Sequence, residues 1–78
     1  MSDFERDSAL RTILIEAAKS GERIRFYSHG MTILAEGIVD FVGKDIVAIR
    51  HHGKEKPEEY ILTECVTKVQ VLEEYRHY

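Results

Sequence analysis

Between Asp7 and Gly21 the apolar residues Leu10, Ile13, Leu14 and Ala17 recur at spacings of three and four, while Arg11, Glu16 and Lys19 fall off that stripe. The spacing predicts an amphipathic helix over residues 8–20, capped by Asp7 or Ser8 and closed at Gly21. Residues 1–6 are then expected to fray, although Ser2 with Glu5 has the capping-box spacing that would start the helix earlier. From Glu22 the period changes to two: Ile24 and Phe26 alternate with Arg23, Arg25 and Tyr27, as in a half-buried strand. Ser28-His29-Gly30 is a turn signal, and Met31 to Val42 is a long apolar, β-branched run interrupted by Gly37. A glycine inside such a run predicts a bulge or a tight bend at a barrel corner, where a side chain would collide with the facing sheet, so the run reads as one strongly bent strand.

Gly43-Lys44 reads as a two-residue turn into a third strand, Asp45 to His51. The polar stretch His52 to Glu58 holds the only proline and reads as an exposed loop. Tyr60-Ile61-Leu62 is a short fourth strand, Thr63-Glu64-Cys65 a one-turn connection, and Val66 to Leu72 a fifth strand in which Val69 and Val71 alternate with Lys68 and Gln70. Residues 73–78 have no periodic pattern and are expected to form a mobile tail.

With 78 residues the chain has room for one domain, and 44% hydrophobic with 32% charged residues is the composition of a folded one. Eleven Lys+Arg against fourteen Asp+Glu give a formal charge of -3, which argues against indiscriminate coating of nucleic acid and leaves room for a local basic patch. A single cysteine, Cys65, excludes an intramolecular disulfide and a cysteine-rich zinc site, so the fold stands on packing and self-association. No apolar run is long enough to span a membrane and the acidic start is unlike a signal peptide, which makes the cytoplasm the expected location and a membrane partner unexpected.

One helix followed by five short strands, the second bent at a glycine, is a pattern of small all-β, partly open barrels. Gly37 to Ile49 is similar to the first motif of the Sm-like family of RNA-binding proteins, and Leu62 to Val69 to its second. The resemblance covers residues 8–72 and implies an Sm-like, strongly bent five-stranded barrel over residues 22–72 behind an N-terminal α-helix. It also implies a homo-oligomeric ring in which the fourth strand of one copy pairs with the fifth of the next, through Tyr60, Ile61, Leu62, Val69 and Val71. Two departures imply weak or altered RNA recognition. Gly43 and Val47 stand where the family's RNA-binding members carry an acidic residue and an Asn. Thr63 and Glu64 stand at the second motif's Arg-Gly or Lys-His pair.

Arg23, Arg25 and Tyr27 share the outer face of the first strand and, with Lys44, are the candidate contacts to single-stranded RNA; the same pattern also describes a solvated strand face. Met31, Ile33, Leu34 and Ile38 read either as core or as an exposed apolar patch, and Cys65 as a small core filler. His51 and His52 are adjacent on a strand and point to opposite faces, so with His29 and His77 they give no metal-ligand spacing. No nucleophile elbow, phosphate-cradling glycine loop or metal-protease motif occurs, so the chain is expected to be no enzyme and to need no cofactor. The competing reading is a regulatory or structural interaction module, since the helix, the Ile24 to Tyr27 strand and the Tyr60 to Leu72 ending also resemble the ligand-sensing WYL-type domains of transcription regulators.

Overall fold

The computed structural model describes the backbone of residues 3–72 and the side chains of residues 8–72. One helix, α1 (Asp3–Ser20), precedes five strands: β1 (Arg23–Tyr27), β2 (Ile33–Val42), β3 (Ile46–Arg50), β4 (Glu59–Leu62) and β5 (Lys68–Leu72). A one-turn 3-10 helix, Thr63–Cys65, links the last two strands. All pairings are antiparallel and the strand order is β4-β3-β2-β1-β5. The chain is thus a single five-stranded antiparallel sheet with an N-terminal helix packed on it.

The helix starts five residues before the expected position 8. No glycine or proline interrupts the segment, so nothing in its sequence stops the helical backbone short of residue 8. The proposed caps Asp7 and Ser8 therefore lie inside the helix, while Ser2 falls outside the described residues, as does the expected tail 73–78.

β2 begins at Ile33 rather than Met31, because the turn before it is longer than its sequence signal. The Met31 amide donates to the Ser28 carbonyl at 2.9 Å and the Ser28 amide to the Thr32 carbonyl at 2.8 Å. Gly30 at φ 86° and Met31 at φ 63° are both left-handed, a conformation that glycine adopts freely and methionine does not. Likewise the β2–β3 turn occupies Gly43, Lys44 and Asp45, closed by the Gly43 amide on the Ile46 carbonyl at 2.7 Å.

β2 pairs with β1 through Ile33 to Ile38 and with β3 through Ile38 to Val42, so its two halves serve different neighbours. At the handover stands Gly37, where an added Cβ would lie 2.7 Å from Ile49 Cγ2 and 2.9 Å from the Arg50 carbonyl oxygen. A close approach is there, but the adjacent paired strand β3 makes it rather than a facing sheet. The bulge itself lies at Asp40, where the β2–β3 register slips between Val39 and Phe41.

Alternation then sorts the side chains. Ile24 and Phe26 of β1, Ala35 and Val39 of β2, Val47 and Ile49 of β3, Val66, and Leu14 and Ala17 of α1 form one buried cluster, with Leu10, Val42, Ile61 and Val69 at its margin. Ile13, expected on the same helix stripe, is 46% exposed, because the buried arc is centred on Leu14 and Ala17. Ala48 is buried on the other side of β3, paired across to both Phe41 and Tyr60, whose rings meet edge to face at 6.4 Å.

Replacing Leu14 by Ala should cost about 2–5 kcal/mol in urea unfolding, while Ile13→Ala should stay within about 1 kcal/mol. Equal losses would show that both residues are core. Gly37→Ala should destabilise by about 1–3 kcal/mol, because the carbonyl it meets belongs to a paired strand and cannot step aside.

Candidate nucleic-acid interface

Two cation-bearing regions lie on different parts of the molecule. The first is the outer face of β5, β1 and β2. On β1 the side chains of Arg23, Arg25 and Tyr27 point away from the core, as the alternation predicts. Arg25 is registered against Glu36 on one side and Gln70 on the other, and Tyr27 against Lys68. Glu36 accepts from both arginines: Arg23 Nη2 approaches Oε1 at 2.5 Å and Arg25 Nε approaches Oε2 at 2.8 Å. Arg25 Nη1 also donates to the Tyr27 hydroxyl at 3.5 Å, and that hydroxyl donates to Gln70 Oε1 at 2.9 Å. Lys68 Nζ sits 4.8 Å from the centre of the Tyr27 ring, within cation–π distance.

Arg23, Arg25 and Tyr27 are thus brought together, but as members of a closed network. One face of the Tyr27 ring is covered by an ammonium and its hydroxyl is engaged at the edge. Each hydrogen bond between an arginine and Glu36 is charge-assisted, and these are the stronger kind. The hydrogen bond from Arg25, followed by the charges of Arg25 and Arg23, holds the Glu36 carboxyl below its ordinary pKa. Arg25 is held above its own, first by Tyr27 and then by Glu36.

Lys44 is not part of this group. It lies on the β2–β3 turn, in a second region: an open cleft of about 310 Å³ between α1 and that turn, lined by Ser8, Leu10, Arg11, Val42, Gly43, Lys44, Asp45 and Thr63. Three backbone and side-chain contacts build it. Arg11 Nη1 donates to the Gly43 carbonyl at 2.6 Å, tying the helix to the turn. The Thr63 amide donates to the Asp45 carbonyl at 3.0 Å, bringing the start of the 3-10 helix alongside. The Gly43 amide closes the turn from within. Among the described residues, neither Arg11 nor Lys44 has an ion-pair partner, whereas Arg23, Arg25 and Arg50 each have one. Two cations, two hydroxyls and the apolar side chains of Leu10 and Val42 can receive a phosphate with a flat ring beside it; Asp45 tempers the charge.

Of the other candidates, Tyr60, Leu62 and Val71 are 55%, 48% and 48% exposed, on the two edge strands. Ile61 and Val69 turn inward and pack at the margin of the core. Met31, Ile33 and Leu34 are exposed at the β1–β2 end, whereas Ile38 is buried. Cys65 is exposed rather than a core filler. His51 Nε2 lies 3.4 Å from Glu59 Oε1, and among the described residues no three His, Cys, Asp or Glu side chains converge on a point. No helix there is long and apolar enough to cross a membrane. Sequence reasoning gave Arg11 no site role, since it reads as an ordinary solvated helix position, and it gave Ser8 only the role of a helix cap; Thr63 was legible only as a place in the second motif. Comparisons with protein families, curated proteins and solved structures find no match for this chain.

Because the folded Glu36 pKa is depressed, its ion pairs stabilise the fold above the unfolded carboxylate value, about 4.3, and the stabilisation is lost as pH falls through the lower folded value. The difference in urea midpoint between the chain and Glu36→Gln should accordingly be constant from about pH 6 upward and shrink below about pH 4. A difference that persisted to about pH 2 would assign the effect to side-chain shape rather than charge.

Proposed function

We propose that the chain is an Sm-like, self-assembling RNA-binding module with weak and sequence-indifferent recognition. The observation that carries RNA binding is the cleft at the β2–β3 turn, where Arg11 and Lys44 have no ion-pair partner among the described residues, in a chain of net charge -3. Such cations hold phosphates, which position a strand but carry little sequence information. Gly43, Val47 and the exposed Glu64 supply no cationic or base-reading group beside it.

The strand order supports the barrel. In a flat sheet β4 and β5 would lie four strand spacings apart, about 19 Å, and would run parallel. The link through Thr63–Cys65, with its shortened 3-10 rise, reaches about 16 Å at full extension and would also have to return along the strand length. Strong bending of β2 between its two halves removes the conflict. Self-assembly is supported by the two edges themselves. β4 and β5 each present an unpaired row of backbone groups, flanked by exposed Tyr60 and Leu62 on one and Val71 on the other. Pairing β4 of one copy with β5 of the next satisfies both edges, and a head-to-tail contact of this kind closes into a ring.

Light scattering at tens of micromolar protein should give a multimeric mass, and Val71→Lys should shift it toward one chain. A single-chain mass for the unmodified protein would refute the ring. In fluorescence anisotropy with short oligo-U and oligo-A, affinity should be modest, similar for the two, and fall steeply with salt. The double change Arg11→Ala and Lys44→Ala should remove most of it, and Glu64→Lys should strengthen it. Tight, salt-insensitive binding that separates uridine from adenine would overturn this reading. Absence of any RNA binding would leave the interaction module.

A further inference from the structure

Glu36 is the only carboxylate that two arginines grip at once among the described residues, and both arginines come from one strand and one face. A carboxylate bridging two guanidiniums presents two oxygens to two donors, and this is also how a phosphate presents its own. Around it Arg23, Arg25 and Lys68 bring three positive charges against the one negative charge of Glu36. The face keeps a surplus of positive charge on a chain whose total is -3. The Glu36, Arg23 and Arg25 side chains are 29%, 43% and 32% exposed, so the pair is open to exchange with solvent ligands.

We infer that Arg23 and Arg25 form a second phosphate site, for the phosphodiester backbone of single-stranded RNA, which the chain keeps shut by filling it with its own Glu36. This deepens the RNA-binding reading above and rests on it for the class of ligand. Opening occurs by displacement: an incoming phosphate takes the two guanidiniums and Glu36 swings out to solvent. Neutralisation near pH 7 plays no part, since the two arginines hold the carboxyl in its charged form. The internal carboxylate is present at an effective concentration that a single free phosphate cannot match, so the site stays closed to isolated anions and opens to a strand already anchored elsewhere. The Arg11–Lys44 cleft can supply that anchor.

The test compares the unmodified chain, Glu36→Gln, Glu36→Asp, and Glu36→Gln combined with Arg23→Ala and Arg25→Ala, each verified as folded by circular dichroism. The probes are oligo-U by anisotropy and inorganic pyrophosphate by NMR shifts of the arginine Nε–H groups. Glu58→Gln, an exposed loop change of equal charge, is the control. Glu36→Gln should bind oligo-U about tenfold tighter, with a log–log salt slope steeper by roughly 0.7 per added phosphate contact. Pyrophosphate should move the Arg25 Nε–H signal in that variant and leave it unmoved in the unmodified chain. Glu36→Asp, too short to span both arginines, should show a smaller gain, and the combined variant none. Unchanged oligo-U affinity in folded Glu36→Gln and Glu36→Asp would overturn the inference, as would an equal gain in Glu58→Gln or a gain that survives loss of both arginines. Failure of the cleft reading looks different: the unmodified chain would not bind oligo-U, or would bind it unaffected by the Arg11 and Lys44 changes, whatever Glu36→Gln does.

Discussion

The handover in the middle of β2 is the constraint on which the rest of the molecule depends. One strand must pair with β1 along its first half and with β3 along its second, and at the junction the backbone of β3 comes so close that only a hydrogen fits at Gly37. That closeness gathers Phe26, Val39, Val47 and Ile49 into one core with Leu14 and Ala17. It also sends β4 and β5 to opposite ends of the strand order, although only a one-turn helix and two further residues separate them in the chain. Edges, cleft and outer charged face are all consequences of where β2 changes partner.

Charge follows the same division. On the sheet surface each arginine has found a carboxylate: Arg23 and Arg25 share Glu36, and Arg50 meets Asp40 at 3.3 Å. Partly exposed pairs of this kind contribute little to stability singly, so their larger effect is to decide which cations are free. Arg11 and Lys44, which line the cleft and have no carboxylate partner among the described residues, lie where the helix meets the β2–β3 turn. An acidic chain can in this way present a local positive site without becoming a general polyanion binder.

Most of the strands could be read directly, because alternation of Ile24 and Phe26 with Arg23 and Arg25 depends only on neighbours two residues away. The same local logic marked Gly37 as a crowded position, though the crowding comes from the paired strand β3 and not from a facing sheet. It failed wherever a distant partner decides. Arg11 reaches the Gly43 carbonyl across 32 positions, and no local pattern distinguishes it from Lys19 on the same helix. Glu36 lies 13 and 11 positions from Arg23 and Arg25, so its grip on both arginines needs the β1–β2 register. Ile13 and Leu14 are adjacent on one helical stripe, and only the placement of α1 on β2 tells which one is buried. Met31 was read into the strand from its side chain; its left-handed backbone belongs to the turn.

The pairing of β1 with β5 joins the first strand to the fifth: Ile24 lies against Val71 and Phe26 against Val69. During synthesis the helix and the first three strands can assemble as they emerge, since each contacts what precedes it. Yet β1 stays open along one side until residue 68 and those after it have left the ribosome. The fifth strand closes the open side of the first. A nascent chain stalled after Leu62 would therefore expose the backbone of β1 as a vacant docking edge, which β5 covers once it has emerged.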